Sequence, residues 1–298
     1  MTAADDSLHW IGDETPDLDG PVMVVMLTGW IDASGAAAAA METITDECDA
    51  TPVATFDDDT YIDFRARRPV MELREGLNSV LRWNHTTVST ARDRTGRDLV
   101  LLSGPEPDMA WHRFAHRTAR LATDLGVTMM VALGAYPFTT PHTRPSKVSL
   151  STPSQDVLSR LTFLRSSIDV PAGMASVLEH SLHDAGIPTV GLWAQVPHYI
   201  ASLEYPAAGV ALIDSLRDAA DVVIDGTDLR QAAVSQRERL DELVSGNEEH
   251  QHMLRQLEQL HDAADDTPGG GGPAGPGLPM ASGDEIAAEL ERFLRDQD

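Results

Sequence analysis

Three clustered arginines are the residues of this sequence most suited to holding an anion. Arg65, Arg67 and Arg68 lie in the run Phe64-Arg-Ala-Arg-Arg-Pro69. Guanidinium groups pair their N–H donors with carboxylates and phosphates, so the run favours an anion-binding or partner-binding loop. The acidic stretch Asp57-Asp-Asp59 just before it favours the alternative, in which the arginines form ion pairs within the chain.

A second group of candidates follows from where strands should end. His198 and Tyr199 come just after the apolar segment 189–194, which is typical of a buried strand. Open α/β sheets bind ligands at the carboxyl ends of their strands. A histidine that bonds the backbone of this turn is the alternative interpretation of His198. The other candidate residues of a strand-end cleft are Trp30, Asp32 and Tyr136.

Motifs of common enzymes and metal sites are missing from the sequence. The glycine-containing loop after the first strand lacks both nucleotide-binding glycine patterns, and Asp32 would place a carboxylate where a phosphate should bind. No G-x-S-x-G motif occurs. His112 and His116 have metal-ligand spacing but no H-E-x-x-H context, which favours a solvated helix face. We therefore predict no cofactor, no metal and no identifiable catalytic set.

Short apolar runs alternate with amphipathic segments along most of the chain. Val22 to Leu27 has the continuous apolar character of a strand covered on both faces, and an alanine-rich helix follows it. The alternation predicts a three-layer α/β/α fold with a mostly parallel sheet. The segments 86–91 and 99–102 predict a hairpin closed by Arg94-Thr-Gly-Arg97. Further strands are expected at 128–133, 147–150 and 189–194, and helices at 109–125, 174–185 and 206–220.

The remaining segments divide the chain into five parts. We predict an acidic N-terminal arm at 1–20, the α/β core at 21–227 and a helical extension at 228–264. A Gly/Pro linker at 265–283 and an amphipathic helix at 284–298 follow. Gly246-Asn247 interrupts the apolar stripe of the extension, which favours two helices or a kinked one over a continuous coiled coil.

Composition excludes several classes of partner. Asp and Glu number 47 against 22 Lys and Arg, for a formal net charge of −25. Such a field repels nucleic acids and anionic membranes, which bind cationic surfaces. No apolar run approaches the roughly 20 residues that span a bilayer. The N-terminus lacks the features of a signal peptide, and Cys48 is the only cysteine, so we expect a cytoplasmic protein without internal disulfides.

Four stretches together resemble the PAC2 family, named for proteasome assembly chaperone 2, and particularly its actinobacterial branch. They are Leu27-Thr-Gly-Trp-Ile-Asp-Ala-Ser-Gly-Ala36, the arginine run 64–69, Asp169-Val-Pro-Ala-Gly173 and Gly186-Ile-Pro-Thr-Val-Gly-Leu-Trp-Ala-Gln-Val-Pro-His-Tyr199. The resemblance implies a core similar to the purine nucleoside phosphorylases, followed by a helical C-terminal extension. It also implies a role in protein association, because eukaryotic relatives chaperone the assembly of proteasome α-subunits.

Two functions follow as hypotheses. The first is a non-enzymatic assembly or interaction protein, chaperone-like, that forms a homo-oligomer and offers its acidic C-terminal helices to a protein partner; analogy with the phosphorylase-like fold favours a trimer. The second is a nucleoside- or phosphate-binding protein or enzyme that uses the cleft near His198 and Arg68. The chain ends Asp296-Gln-Asp298, without the hydrophobic-tyrosine-any-residue tail by which such chaperones dock on the proteasome.

Overall fold

A computed structural model describes residues 7–12 and 15–265. Its strands are β1 (Leu8–Trp10), β2 (Val22–Thr28), β3 (Thr51–Phe56), β4 (Val70–Arg74), β5 (Leu77–Arg82), β6 (Thr87–Arg92), β7 (Asp98–Pro105), β8 (Met129–Phe138), β9 (Val148–Ser151) and β10 (Thr189–Pro197). Its helices are α1 (Ala36–Glu47), α2 (Asp58–Tyr61), α3 (Trp111–Asp124), α4 (Gln155–Arg160), α5 (Met174–Asp184), α6 (Pro206–Ala220), α7 (Thr227–Ser245) and α8 (Glu248–Asp265). Short 3₁₀ turns cover 33–35 and 198–200.

Eight strands form one mixed sheet in the order β1-β3-β6-β7-β2-β8-β10-β9. The four central strands β7, β2, β8 and β10 are parallel, as the alternation of elements predicts. The pairings outside them are antiparallel, so the sheet is less uniformly parallel than expected. For β6 and β7 the reason is local, because the turn at 93–97 is too short for a crossover and returns the chain antiparallel to itself.

The central strand β2 contacts apolar residues on both faces of the sheet. Val22, Val24 and Met26 belong to a cluster with α1 and α6, whereas Met23 and Val25 belong to a cluster with α3 and α5. Residues 22–26 are at most 4% exposed. A strand that is buried on both faces does not need polar residues on either face, which explains the continuous apolar sequence of β2.

Strands β8 and β10 extend further than the sequence indicates. We expected β8 to end at Leu133, yet it pairs residue by residue with β10 as far as Phe138 opposite Pro197. Gly134, which resembles the start of a loop, lies inside the strand under the indole of Trp193. A Cβ atom at Gly134 would lie 2.4 Å from that ring. The glycine therefore makes room for a side chain rather than ending the strand.

Two pieces of β structure were not expected. Leu8–Trp10, placed by us in an acidic arm, adds β1 to the sheet edge beside β3. Strands β4 and β5 form a separate two-stranded hairpin, hereafter the β4–β5 arm, which pairs with no other described strand.

The C-terminal part of the described chain consists of two helices. The first, α7, ends at Ser245, and α8 begins at Glu248, so the break falls at Gly246-Asn247 as the sequence indicates. Leu240 and Leu257 are buried and anchor the pair. The predicted linker and terminal helix, from residue 266 onward, lie outside the described residues, and the division into five segments remains a prediction.

Candidate functional site

The loop between β2 and α1 is fixed by its own side chains. Both carboxylate oxygens of Asp32 accept backbone N–H groups of α1, from Ala37 at 2.8 Å and Ala38 at 3.0 Å. Burial raises the pKa of Asp32, while these two hydrogen bonds oppose the shift. Asp32 is therefore a helix-capping group of α1. Trp30 is 45% exposed and packs against Gly173.

The same loop contacts the segment that follows β10. The Ser34 backbone N–H donates to Ala201 O at 2.8 Å, and its hydroxyl donates to Ile200 O at 3.2 Å. Asp32 also forms a bridge with Ala135 of β8. The carboxyl ends of β2, β8 and β10 thus meet, as expected of parallel strands.

Tyr136 lies at this edge in a polar cluster of its own. Its hydroxyl accepts a hydrogen bond from Gln195 Nε2 at 3.1 Å and lies 3.3 Å from Ser149 Oγ. Phe138 packs edge-on against its ring. Neighbouring protein groups thus occupy the hydrogen-bonding capacity that a ligand would need.

Tyr199 belongs to a buried chain of hydrogen bonds. Its hydroxyl accepts the backbone N–H of His142 at 2.8 Å and lies 2.6 Å from His142 Nδ1. His142 Nε2 lies 3.3 Å from Asp241 Oδ1 of α7. Burial raises the pKa of Tyr199 and lowers that of His142, although Asp241 opposes the latter shift. The chain connects the loop after β8, the segment after β10 and α7.

His198 is adjacent to this chain but takes no part in it. Its ring packs edge-on against Tyr199, with 5.5 Å between ring centroids. Its Nδ1 is buried and has no hydrogen-bond partner among the described residues. The backbone-bonding role that we considered for His198 therefore does not involve Nδ1.

Arg67 and Arg68 line a different region, a cleft of about 520 Å³ hereafter called the arginine cleft. It lies at the carboxyl ends of β2 and β7, and its wall includes Trp83 and His85. Arg67 Nε donates to Asp108 Oδ1 at 2.9 Å, an ion pair within the chain whose acidic partner lies outside the expected stretch 57–59. The residues lining the cleft are Thr28, Ala66, Arg67, Arg68, Trp83, Asn84, His85, Gly104 and Pro105.

The structure thus separates the predicted site residues into two regions. The arginine cleft includes Arg67 and Arg68 but none of the aromatic, acidic or histidine candidates. Arg65 is exposed, and its backbone N–H donates to Asp63 Oδ1 at 2.9 Å. The second region, at the ends of β2, β8 and β10, holds Trp30, Asp32, Tyr136, His198 and Tyr199.

Sequence reasoning missed several residues of interest. Trp83 and His85 follow β5 and reach the arginine cleft, and Asp241 lies 99 residues from the histidine that it contacts. Glu179 is buried on α5, where burial raises its pKa to about 7. Only the basic run itself signals the cleft, because its other walls come from distant strands.

No three His, Cys, Asp or Glu side chains of residues 7–12 and 15–263 converge as a metal site would require. Cys48 is buried, and burial together with Asp93, Glu47 and Asp49 raises its thiol pKa to about 11. Thiolate, the reactive form, is therefore scarce at neutral pH. Among the described helices, none is long and apolar enough to cross a bilayer.

The protein thus belongs to the α/β class: a mixed β-sheet has helices on both faces, and two further helices follow it. The family model described as PAC2 family matches residues 26–244. The chain belongs to the PAC2 family. No curated protein sequence matches it.

Solved structures from actinobacteria agree with this assignment. A protein of unknown function from Corynebacterium glutamicum is 30% identical, with a TM-score of 0.82 over 88% of this chain and 99% of that one. A PAC2 family protein from Streptomyces avermitilis is 35% identical, with a TM-score of 0.72 over 78% and 99%. A proteasome-assembly chaperone homologue from Mycobacterium tuberculosis is 32% identical, with a TM-score of 0.73 over 79% and 99%.

Proposed function

We propose that this protein is a non-enzymatic, chaperone-like assembly or interaction protein of the cytoplasm. In this proposal it forms a homo-oligomer. The exposed β4–β5 arm is the observation that carries the proposal. Membership of the PAC2 family supports it, as does the similarity to a proteasome-assembly chaperone homologue. The same proposal includes a core similar to the purine nucleoside phosphorylases. It also includes the trimer that this similarity favours.

The β4–β5 arm exposes apolar side chains on both of its faces. Met71 and Leu81 lie directly opposite each other and are 50% and 47% exposed. The neighbouring pair places Val80 opposite Glu72 on the other face, and Val80 is exposed too. A lone two-stranded hairpin is marginally stable in water, and exposed apolar patches mark sites of association.

The edges of the arm are open as well as its faces. Because β4 and β5 pair only with each other, each has one unpaired backbone edge among the described residues. Unpaired edges bind further strands through main-chain hydrogen bonds. Further copies of the chain supply matching edges and matching apolar side chains, and the contacts between copies bury both.

The exposed acidic surface of α7 and α8 is the second surface in this proposal. Glu238, Glu242, Glu248 and Glu249 are exposed there. We assign this surface to a protein partner of opposite charge, because complementary charge steers association and rejects acidic competitors.

The experiment is a mass measurement in solution on the full chain. The wild type should have a mass that is a multiple of 32.2 kDa by light scattering after size exclusion. The double substitution Met71→Lys and Leu81→Lys should yield monomer, because apposed lysines on both copies repel and cannot be buried. Its circular dichroism should match that of the wild type.

Ile168→Lys is the matched control, since Ile168 is 54% exposed and lies outside the arm. It should leave the mass unchanged. A wild type that stays monomeric at high concentration, or an arm variant that keeps the wild-type mass, would refute self-association through the arm.

A further inference from the structure

The arginine cleft lies where the topology of the sheet opens a crevice. Strands β2 and β7 are neighbours and parallel, with Thr28 opposite Pro105 at their carboxyl ends. The helix after β2, α1, packs on one face of the sheet, and the helix after β7, α3, packs on the other. The two chain segments therefore diverge, and ligands of open α/β sheets bind at such a divergence.

The Arg67 guanidinium is held in place within this crevice. Arg67 Nε donates a hydrogen bond to Asp108 at 2.9 Å, and Arg67 Nη2 lies over Gly29 at the end of β2. A Cβ atom on Gly29 would approach Nη2 to 2.7 Å, and the φ of +129° at this residue also requires glycine. The backbone thus leaves room for the guanidinium, whose position is set before any ligand binds.

Arg68 carries an uncompensated positive charge at the same cleft. It lines the cleft and makes no ion pair or hydrogen bond with any residue of the described chain. The nearby carboxylates already have partners: Asp108 pairs with Arg67 and Asp58 with His85 Nδ1. Glu106, whose Cγ lies beside Gly29, accepts the backbone N–H of Met174 at 2.9 Å. The contact with Asp58 leaves the other ring nitrogen of His85 available, and Asn84 adds an amide.

An aromatic wall completes the cleft. Trp83 is 43% exposed, and its ring packs edge-on against Phe64 with 4.9 Å between centroids. This contact fixes the indole and leaves part of its surface open for stacking. At about 520 Å³, the cleft has the volume of a small-molecule site.

We propose that the arginine cleft binds the phosphate group of a small molecule, with Arg67 and Arg68 as its cationic ligands. Two guanidinium groups, an imidazole and an amide supply more donors than the two oxygens of a carboxylate can accept, whereas a phosphate offers three or four. The open face of Trp83 provides a surface for an aromatic ring attached to that phosphate. The assignment is independent of the self-association proposed above.

The test measures binding of two probes to the full chain by calorimetry and by the fluorescence of its five tryptophans, in which Trp83→Phe identifies the contribution of Trp83. AMP carries a phosphate and an aromatic ring, and inorganic phosphate carries the anion alone. We expect saturable binding of AMP with a Kd of about 1 mM or lower, and weaker binding of inorganic phosphate. Adenosine, which lacks the phosphate, should not bind. If inorganic phosphate binds as tightly as AMP, the phosphate assignment holds but the stacking role of Trp83 fails.

Variants on one loop supply the controls. R68A should weaken AMP binding about tenfold or more, because it removes a charge-assisted pair. R68K, which keeps the charge but loses the fork, should give an intermediate affinity. R65A, on the same loop but outside the cleft, should change the affinity by less than about twofold. Trp83→Phe should abolish the fluorescence change while calorimetry still detects binding.

Absence of saturable binding by both probes would overturn the proposal. Equal losses in R65A and R68A would also overturn it, because they would show diffuse attraction to a basic loop rather than a site. The melting temperature of each variant, measured alongside, separates a lost ligand contact from lost folding.

Discussion

Buried ionisable side chains in this protein mainly hold segments together. Burial keeps the Tyr199 hydroxyl and the His142 imidazole uncharged at neutral pH, because it raises the pKa of the tyrosine and lowers that of the histidine. Two neutral groups can share one short hydrogen bond without the desolvation cost of an ion. This chain of contacts is therefore suited to fixing a loop rather than to transferring a proton.

Glu179 differs because burial raises its pKa more than its hydrogen bond with Ser151 lowers it. Its carboxylate accepts the hydroxyl of Ser151 at 2.9 Å, and Ser151 in turn accepts the indole N–H of Trp193 at 2.9 Å. Burial raises the pKa of Glu179 from 4.5 to about 7. The folded state consequently favours the protonated acid more than the unfolded chain does.

We predict that folding stability falls as pH rises through about 7 and that E179Q removes much of this loss. With a raised folded pKa, the contribution of Glu179 is complete below about pH 4.5 and disappears above about pH 7. The shift corresponds to about 3 kcal/mol in the free energy of unfolding. Urea denaturation between pH 5 and pH 8 should show E179Q gaining on the wild type as pH rises. The exposed-site control E204Q should follow the wild type, and parallel profiles for E179Q and wild type would contradict the prediction.

At the scale of elements, the loop between β8 and β9 ties the C-terminal helices to the sheet. Arg144 forms a two-pronged contact with Asp262 of α8, each prong at 2.8 Å, and a longer one with Glu258 at 3.3 Å. The hydroxyl of Thr143 donates to the same glutamate at 2.6 Å. The C-terminal turns of α8 therefore depend on a loop more than 100 residues earlier.

We predict that R144A loosens α8 and leaves the sheet intact. Solvent screens this partly exposed pair, so its loss should act locally and be measured as several-fold faster hydrogen exchange in α8. Exchange monitored by mass spectrometry should accelerate in peptides covering 248–265 and stay unchanged in β2 and β8. R120A is the control, since Arg120 pairs within its own helix with Asp124. Uniform acceleration across the protein would mean that the contact stabilises the whole fold instead.

Elements with strong local signals were predictable from the sequence, and those defined by distant contacts were not. The helix at 206–220 has the predicted bounds, with Pro206 at its first turn. The β4–β5 arm lacks a polar–apolar alternation because both faces are exposed. Its turn uses Glu75 and Gly76 at φ of +49° and +85°. Glutamate seldom adopts such a conformation, so this turn carries a weaker signal than Asn-Gly would.

The candidate site was predictable in part for a similar reason. The arginine run is a local feature, and Arg67 and Arg68 do line a cleft. The partners of the other candidates come from elsewhere in the chain: His142 lies 57 residues from Tyr199, and Ser34 lies 166 residues from Ile200. Contacts over such separations follow from the order of the strands, which a single sequence does not display.

For the molecule as a whole, the charge of −25 opposes the self-association that we propose. Two copies that approach through the β4–β5 arm bring like charges together and repel each other. The apolar contact itself does not depend on this electrostatic repulsion. Salt screens the repulsion, because the Debye length falls from about 30 Å at 0.01 M to about 3 Å at 1 M.

We therefore predict that salt strengthens self-association. Sedimentation velocity should yield a dissociation constant several-fold lower at about 0.5 M sodium chloride than at about 0.01 M. An interface dominated by ion pairs would behave in the opposite way, so a dissociation constant that rises with salt would contradict an apolar contact through the arm. Ile168→Lys should follow the wild-type salt dependence.

The position of β2 at the centre of the sheet also sets the order in which the protein can fold during its synthesis. β2 is among the first strands translated, but its neighbours β7 and β8 start at Asp98 and Met129. At about 5–20 residues per second, the ribosome needs roughly 4–14 s to make the 70 or so residues that separate β2 from β7, the first of these neighbours to be synthesised. During that interval an apolar strand has no partner. The nascent chain thus itself presents a segment for molecular chaperones to shield before its own fold can cover it.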